Sequence, residues 1–174
     1  MSRESAIEKR KRWLENKQKY CLVDTETTGL GNNDRVVEIA IIDLDGKVLL
    51  NTLVNPGISI PPEAERIHGI SDSMVKDAPS IGSVGEKIRE NLNDRIMIAY
   101  NAEFDARMIR QTFNIDVNYE CLMYNVMDFH NSDRYMSLEK ATAHLRKEDQ
   151  EHRALGDCYL CLKLIKHSLE TGRG

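Results

Sequence analysis

Two carboxylates two residues apart, Asp24 and Glu26, follow the apolar run Cys21-Leu22-Val23 and precede the turn Thr27-Thr28-Gly29-Leu30. Side chains of a strand alternate between its faces, so both acids project from one side. Unpaired buried carboxylates are costly to desolvate, and a divalent cation is the commonest remedy. The stretch therefore reads as half of a metal site. Two further acids could complete it: Asp105, between Phe104 and Ala106, and Asp157, bracketed by Leu155 and Cys158. His152 stands five residues before Asp157, and a ring that titrates near neutral pH suits a general base. Taken singly, each has a plainer reading. An acid near a helix N-terminus complements the helix dipole, and a histidine before a helix is commonly a surface residue.

The elements that must carry these residues follow from periodicity. Residues 20–24 predict a first strand, 36–43 a second and 47–54 a third, the last two joined by the hairpin signal Asp45-Gly46. These three form an antiparallel meander. A short helix runs from Pro61-Pro62 to Gly69, and Ser71–Val75 adds a helical turn. Ser80 opens a longer helix with Ile81, Val84, Ile88 and Leu92 at helical spacing. Residues 96–100 give a short apolar fourth strand that leads directly into a helix capped by Asn101, so this strand joins the sheet in parallel. Residues 119–128 are expected to be a fifth strand, and 137–145 a short helix. A last helix over 154–169 presents Leu155, Cys158, Leu162, Ile165 and Leu169 as an apolar stripe. The first strand is central in this arrangement. The helices carrying Asp105 and Asp157 start from one end of the sheet, the carboxyl end of the strands, where α/β folds place their sites.

The composition, 41% hydrophobic and 30% charged, is that of a soluble globular protein. No apolar run approaches the ~20 residues of a membrane span, and the N-terminus is charged rather than signal-like, so a cytoplasmic location with no membrane partner is expected. The four cysteines lie mostly in apolar segments, which suits reduced core thiols. Charge is unevenly spread. Residues 1–19 hold seven Lys/Arg against three Glu, so the rest of a chain of net charge −4 carries −8. We divide the chain into a basic N-terminal helical extension, 1–19, and a domain over 20–174. The extension is either a solvated helix packing Trp13 or a basic arm touching phosphates. The acidic body does not exclude nucleic acid, because bound cations reverse the local field.

Three motifs together carry a resemblance: Asp24-Thr25-Glu26-Thr27-Thr28-Gly29-Leu30, Asn101-Ala102-Glu103-Phe104-Asp105 and His152-Arg153-Ala154-Leu155-Gly156-Asp157. In order and separation they resemble those of the DEDDh branch of the DnaQ-like 3′–5′ exonucleases, and Arg66-Ile67-His68-Gly69-Ile70 is similar to a further segment of that family. The resemblance covers roughly residues 19–170. It implies a ribonuclease H-like fold with a five-stranded mixed sheet, the antiparallel meander plus two parallel strands, flanked by helices. It implies that Asp24, Glu26, Asp105 and Asp157 hold two Mg²⁺ or Mn²⁺ ions and that His152 is the general base. The 3′-terminal nucleotide would be held by Thr27, Leu30, His68, Ile70 and Phe104, although Leu30, Ile70 and Phe104 also suit a plain core role. The implied partners are single-stranded or frayed nucleic acid 3′ ends, more readily DNA, and the products nucleoside 5′-monophosphates. An RNA-trimming enzyme of the same family, or a non-catalytic binding module, are the alternatives. Polymerase association is possible but not indicated, since the chain runs only to Gly174 after its last helix and a free-standing enzyme is expected. The sequence is silent on oligomeric state. Cys158-x-x-Cys161 reads as a core face, because no second Cys/His pair completes a zinc site, and His130, His144 and His167 read as surface residues.

Overall fold

Five strands, β1 (Tyr20–Thr27), β2 (Val36–Ile42), β3 (Val48–Leu53), β4 (Ile96–Ala99) and β5 (Tyr119–Cys121), form one mixed sheet in the order β3-β2-β1-β4-β5. The structure is a computed structural model and describes residues 2–145 and 152–171. β1, β2 and β3 pair antiparallel, whereas β4 joins β1 and β5 joins β4 in parallel. This is the expected mixed sheet, and it puts β1 at the centre. The β2–β3 turn uses Gly46 at φ 92°, a conformation that L side chains rarely adopt.

Eight helices flank the sheet among the described residues: α1 (Arg3–Glu15), α2 (Pro62–His68), α3 (Asp72–Val75), α4 (Ile81–Leu92), α5 (Ala102–Phe113), α6 (Leu122–Phe129), α7 (Leu138–Thr142) and α8 (Ala154–Thr171). α8 packs on β1 and β2, and α5 on β1, β4 and β5. All seven residues of β2 are buried, and so are the cysteines on α8. Among the described residues, no helix is long and apolar enough to cross a membrane.

The predicted fifth strand is shorter than expected. It stops at Cys121, and α6 starts at Leu122. The reason is its partner: β4 ends at Ala99, which pairs with Cys121, so further extended residues would have no ladder to join. Leu122, Val126 and Phe129 are instead buried at helical spacing.

The N-terminal helix behaves as a packed element. Trp13 is fully buried, and its Nε1 donates to Glu120 Oε2 at 3.1 Å. Arg12 Nη2 donates to both oxygens of Glu120, at 2.9 and 2.8 Å, and Lys9 lies 3.2 Å from the same carboxylate. Arg10 is buried, donates from Nε to Asn125 Oδ1, and lies 4.7 Å above the Phe129 ring. Burial lowers its pKa to about 10. Three of the basic residues thus fasten α1 to the fold.

Candidate active site

At the end of β1, the central strand, one carboxylate oxygen each from Asp24, Glu26 and Asp157 lies within 4.8 Å of the others. Asp24 and Glu26 are half-buried on one face of β1, as the spacing of two requires. Asp157 is buried in the first turn of α8, its amide donating to Arg153 O at 3.1 Å. Asp105, buried in the first turn of α5, stands slightly apart. Its Oδ1 accepts from the Thr25 amide at 3.1 Å and the Thr25 hydroxyl at 2.8 Å. A cleft of about 260 Å³ is lined by Asp24, Asp105, Asp157 and the exposed His152, with Tyr100 and Tyr135 among its other walls. The structure therefore gathers all the residues proposed for chemistry, three acids tightly and the fourth through Thr25.

These acids cannot all stay charged unaided. Burial, then the neighbouring Asp105, Asp157, Glu26 and Glu38, holds the Asp24 carboxyl well above the usual carboxylate range. Burial and Asp157 push Glu26 up to about 9, with Arg153 opposing the rise. Burial pushes Asp105 up to about 7, restrained by the hydrogen bonds from Thr25. A donor set made of clustered carboxylate oxygens suits a hard divalent cation, whose charge would offset this repulsion.

A second cavity, about 490 Å³, adjoins the first and shares Thr25 and Phe104 with it; Glu26, Thr27, Leu30, Ile67 and His68 also line it. Leu30 projects from its rim, 77% exposed. The loop behind Leu30 is fastened at several points: Arg107 Nη2 donates to Leu30 O at 2.9 Å, Gln111 Nε2 to Gly31 O at 3.0 Å, and the Gly31 amide to Asp34 Oδ2 at 2.7 Å. A Cβ on Gly29 would fall 2.6 Å from Asp34 Oδ2, so a side chain there would displace the carboxylate that accepts from the Thr28 hydroxyl and the Gly31 amide. Phe104 is half-buried with the Arg107 guanidinium 5.3 Å above its ring. His68 is buried between two backbone groups. Its Nδ1 accepts from the Ile70 amide at 3.0 Å, which leaves the proton on Nε2 to donate to Thr27 O at 3.1 Å. Burial lowers its pKa, in keeping with this neutral form.

One predicted contact is corrected. Ile70 is fully buried with Val37, Ile60, Ala64 and Val75 and does not reach the cavity. Gly69 ends α2 at φ 70° and turns the chain inward, so Ile67, 61% exposed on the last turn of α2, forms the wall instead. Cys158 and Cys161 are buried free thiols on the core face of α8, as expected.

Two residues of consequence escaped the sequence reading. Glu38, only 3% exposed, stands opposite Glu26 in the β1–β2 register. Arg153 Nε donates to its two oxygens at 3.1 and 3.0 Å, Arg153 Nη2 donates to Oε2, and the Ala154 amide donates to Oε1 at 2.9 Å. The available signal was a lone charge within the apolar run Val36-Val37-Glu38-Ile39-Ala40-Ile41-Ile42.

Residues 21–165 match the family model RNase_T, described as exonuclease. The chain belongs to this exonuclease family. Among relatives, the exonuclease is 34% identical over 175 residues to the uncharacterized exonuclease CP81 of Escherichia phage 186, covering 89% of each chain. It is 36% identical over 100 residues to the DNA polymerase III subunit epsilon of Rickettsia conorii, covering 54% of this chain and 44% of that one. Among solved structures, Exonuclease X in complex with 5′ overhanging duplex DNA superposes with a TM-score of 0.66 at 29% identity, covering 88% of this exonuclease and 93% of that chain. The DnaQ-like resemblance and the ribonuclease H-like sheet thus stand, and the chain is an exonuclease enzyme.

Proposed function

We propose that this exonuclease removes nucleoside 5′-monophosphates from the 3′ ends of nucleic acid, DNA before RNA, using two Mg²⁺ or Mn²⁺ ions held by Asp24, Glu26, Asp105 and Asp157. The observation that carries this reading is the convergence of the Asp24, Glu26 and Asp157 carboxylates within 4.8 Å at the end of the central strand. When bound, such ions lower the pKa of water and stabilise charge on a phosphoryl group. His152 lines the cleft with Asp24, Asp105 and Asp157 and takes the proton of the attacking water. The hydrogen bonds from Thr25 hold Asp105 in place beside the other acids.

The adjoining cavity seats the terminal nucleotide. Thr27 and His68 line it, Leu30 wedges beside the last base, and Phe104 lies against the base or sugar. Contacts of this kind read stacking and the chain end rather than sequence, as suits single-stranded or frayed ends. The preference for DNA draws support from the DNA-bound Exonuclease X among the structural relatives.

Purified protein with Mg²⁺ and 5′-labelled single-stranded DNA and RNA, assayed side by side, tests the reading. The expected result is a ladder of 3′-shortened DNA products, formed faster than from RNA. Faster RNA shortening would reverse the substrate assignment, and intact oligonucleotides of both kinds would reject the activity.

A further inference from the structure

Among the described residues, the acceptor at the start of helix α8 comes from outside the helix. The Asp157 amide bonds to Arg153 O, which makes Arg153 the residue that opens the helix. Serine, threonine, aspartate and asparagine cap such positions because their side chains accept from free amides. An arginine side chain has no acceptor. The missing acceptor comes from another strand: Glu38 takes the Ala154 amide at 2.9 Å and the Arg153 guanidinium on both its oxygens.

Glu38 faces the same side as Glu26 across the β1–β2 ladder, so a role as a further metal ligand has to be considered. Its bonding argues otherwise. Both oxygens are engaged by cationic or amide donors, and it is not among the carboxylates that converge. A buried carboxylate with an Arg fork and a helix amide is a fixed joint. It ties β2, next to the strand bearing Asp24 and Glu26, to the residue between His152 and the helix of Asp157.

We infer that Glu38 and Arg153 are positioning residues that set where His152 stands relative to the acid cluster; the inference rests on the base role proposed for His152. A loosened joint then lowers the rate of the chemical step and leaves substrate affinity alone. Arg153→Ala and Glu38→Gln each lower kcat about tenfold with KM unchanged within twofold. In a His152→Ala background the same substitutions lower kcat by less than a further twofold, because residues that act through one group are not additive. A full tenfold loss in that background, or an unchanged kcat in the parent, overturns the inference. The Arg153 side chain is 41% exposed, so its removal leaves the core intact.

Amide hydrogen exchange on the metal-free protein gives a readout that needs no activity. Glu38→Gln speeds exchange at residues 154–157 at least tenfold and leaves residues 162–165 unchanged. Unchanged exchange at 154–157, or acceleration along the whole helix, rejects the joint. Should the parent enzyme cleave no nucleic acid, the functional reading fails, and the exchange result still decides whether Glu38 holds the start of α8.

Discussion

Helices α5 and α8 both deliver one aspartate to the end of β1, but they secure it differently. Asp105 on α5 is bonded directly, through two donors of Thr25 on β1 itself. The start of α8, which carries Asp157, is held from β2, where Glu38 accepts from Arg153 and from the Ala154 amide. The consequence is electrostatic. Donors aimed at a carboxylate favour its charged form, and Asp105 rises only to about 7 although it is buried. Glu26, next to Asp157, rises to about 9. The site therefore sets Asp105, whose charge Thr25 supports, against the converging trio of Asp24, Glu26 and Asp157, in which Asp24 and Glu26 are held well above the ordinary carboxylate range.

The severest way to break this comparison is to remove a member of the trio. Asp24→Ala is expected to reduce cleavage by about 10³-fold or more and to eliminate measurable Mn²⁺ heat in a calorimetric titration. Unchanged Mn²⁺ affinity would contradict the ligand assignment. His152→Ala should cost about 10²–10⁴-fold in turnover while Mn²⁺ still binds with near-parent affinity, and near-normal rates would remove His152 from the base role.

Stability against pH sharpens the contrast further. Between the ordinary carboxylate range and about 9, folded Glu26 keeps a proton that the unfolded chain has released, and Asp105 does so up to about 7. The unfolded state then binds fewer protons, so stability falls as pH rises through this window. Metal-free protein should lose about 10 °C or more in Tm between pH 5 and 9, and Mn²⁺ should restore it. Glu26→Gln should flatten the fall above pH 7, and an unaltered slope there would deny Glu26 its part. The smallest effect is expected from Thr25→Val, which removes one donor to Asp105 and keeps the amide. Urea unfolding at neutral pH should show a loss of about 1 kcal/mol, and Asp105 should titrate higher than in the parent. A titration that stays in place would show that the hydroxyl does not support the charge.

Local patterning carried most of the fold. The meander, the strand leading into Asn101 and the apolar stripe of α8 each write their period into a contiguous stretch, and each is found. The four acids and His152 were readable for the same reason, since short motifs hold them at the ends of such elements. What depends on a distant partner was not. β5 ends where β4 stops pairing, which nothing in residues 119–128 reveals. Ile67 takes the wall position expected of Ile70 because the left-handed Gly69 turns Ile70 inward. The acceptor for α8 lies on β2, over a hundred positions earlier in the chain, so inspection of His152-Arg153-Ala154 alone finds a helix without a cap.

Thr25 and Phe104 belong to both cavities, the one proposed to seat the chain end and the one lined by the acids. A common wall means that neither compartment can adjust alone. On the proposed function, a terminal nucleotide that fits badly against Leu30 also presents its phosphate badly to Asp24 and Asp157. Discrimination among 3′ ends would then be kinetic, expressed in how fast a bound end is cut rather than in how tightly it is held.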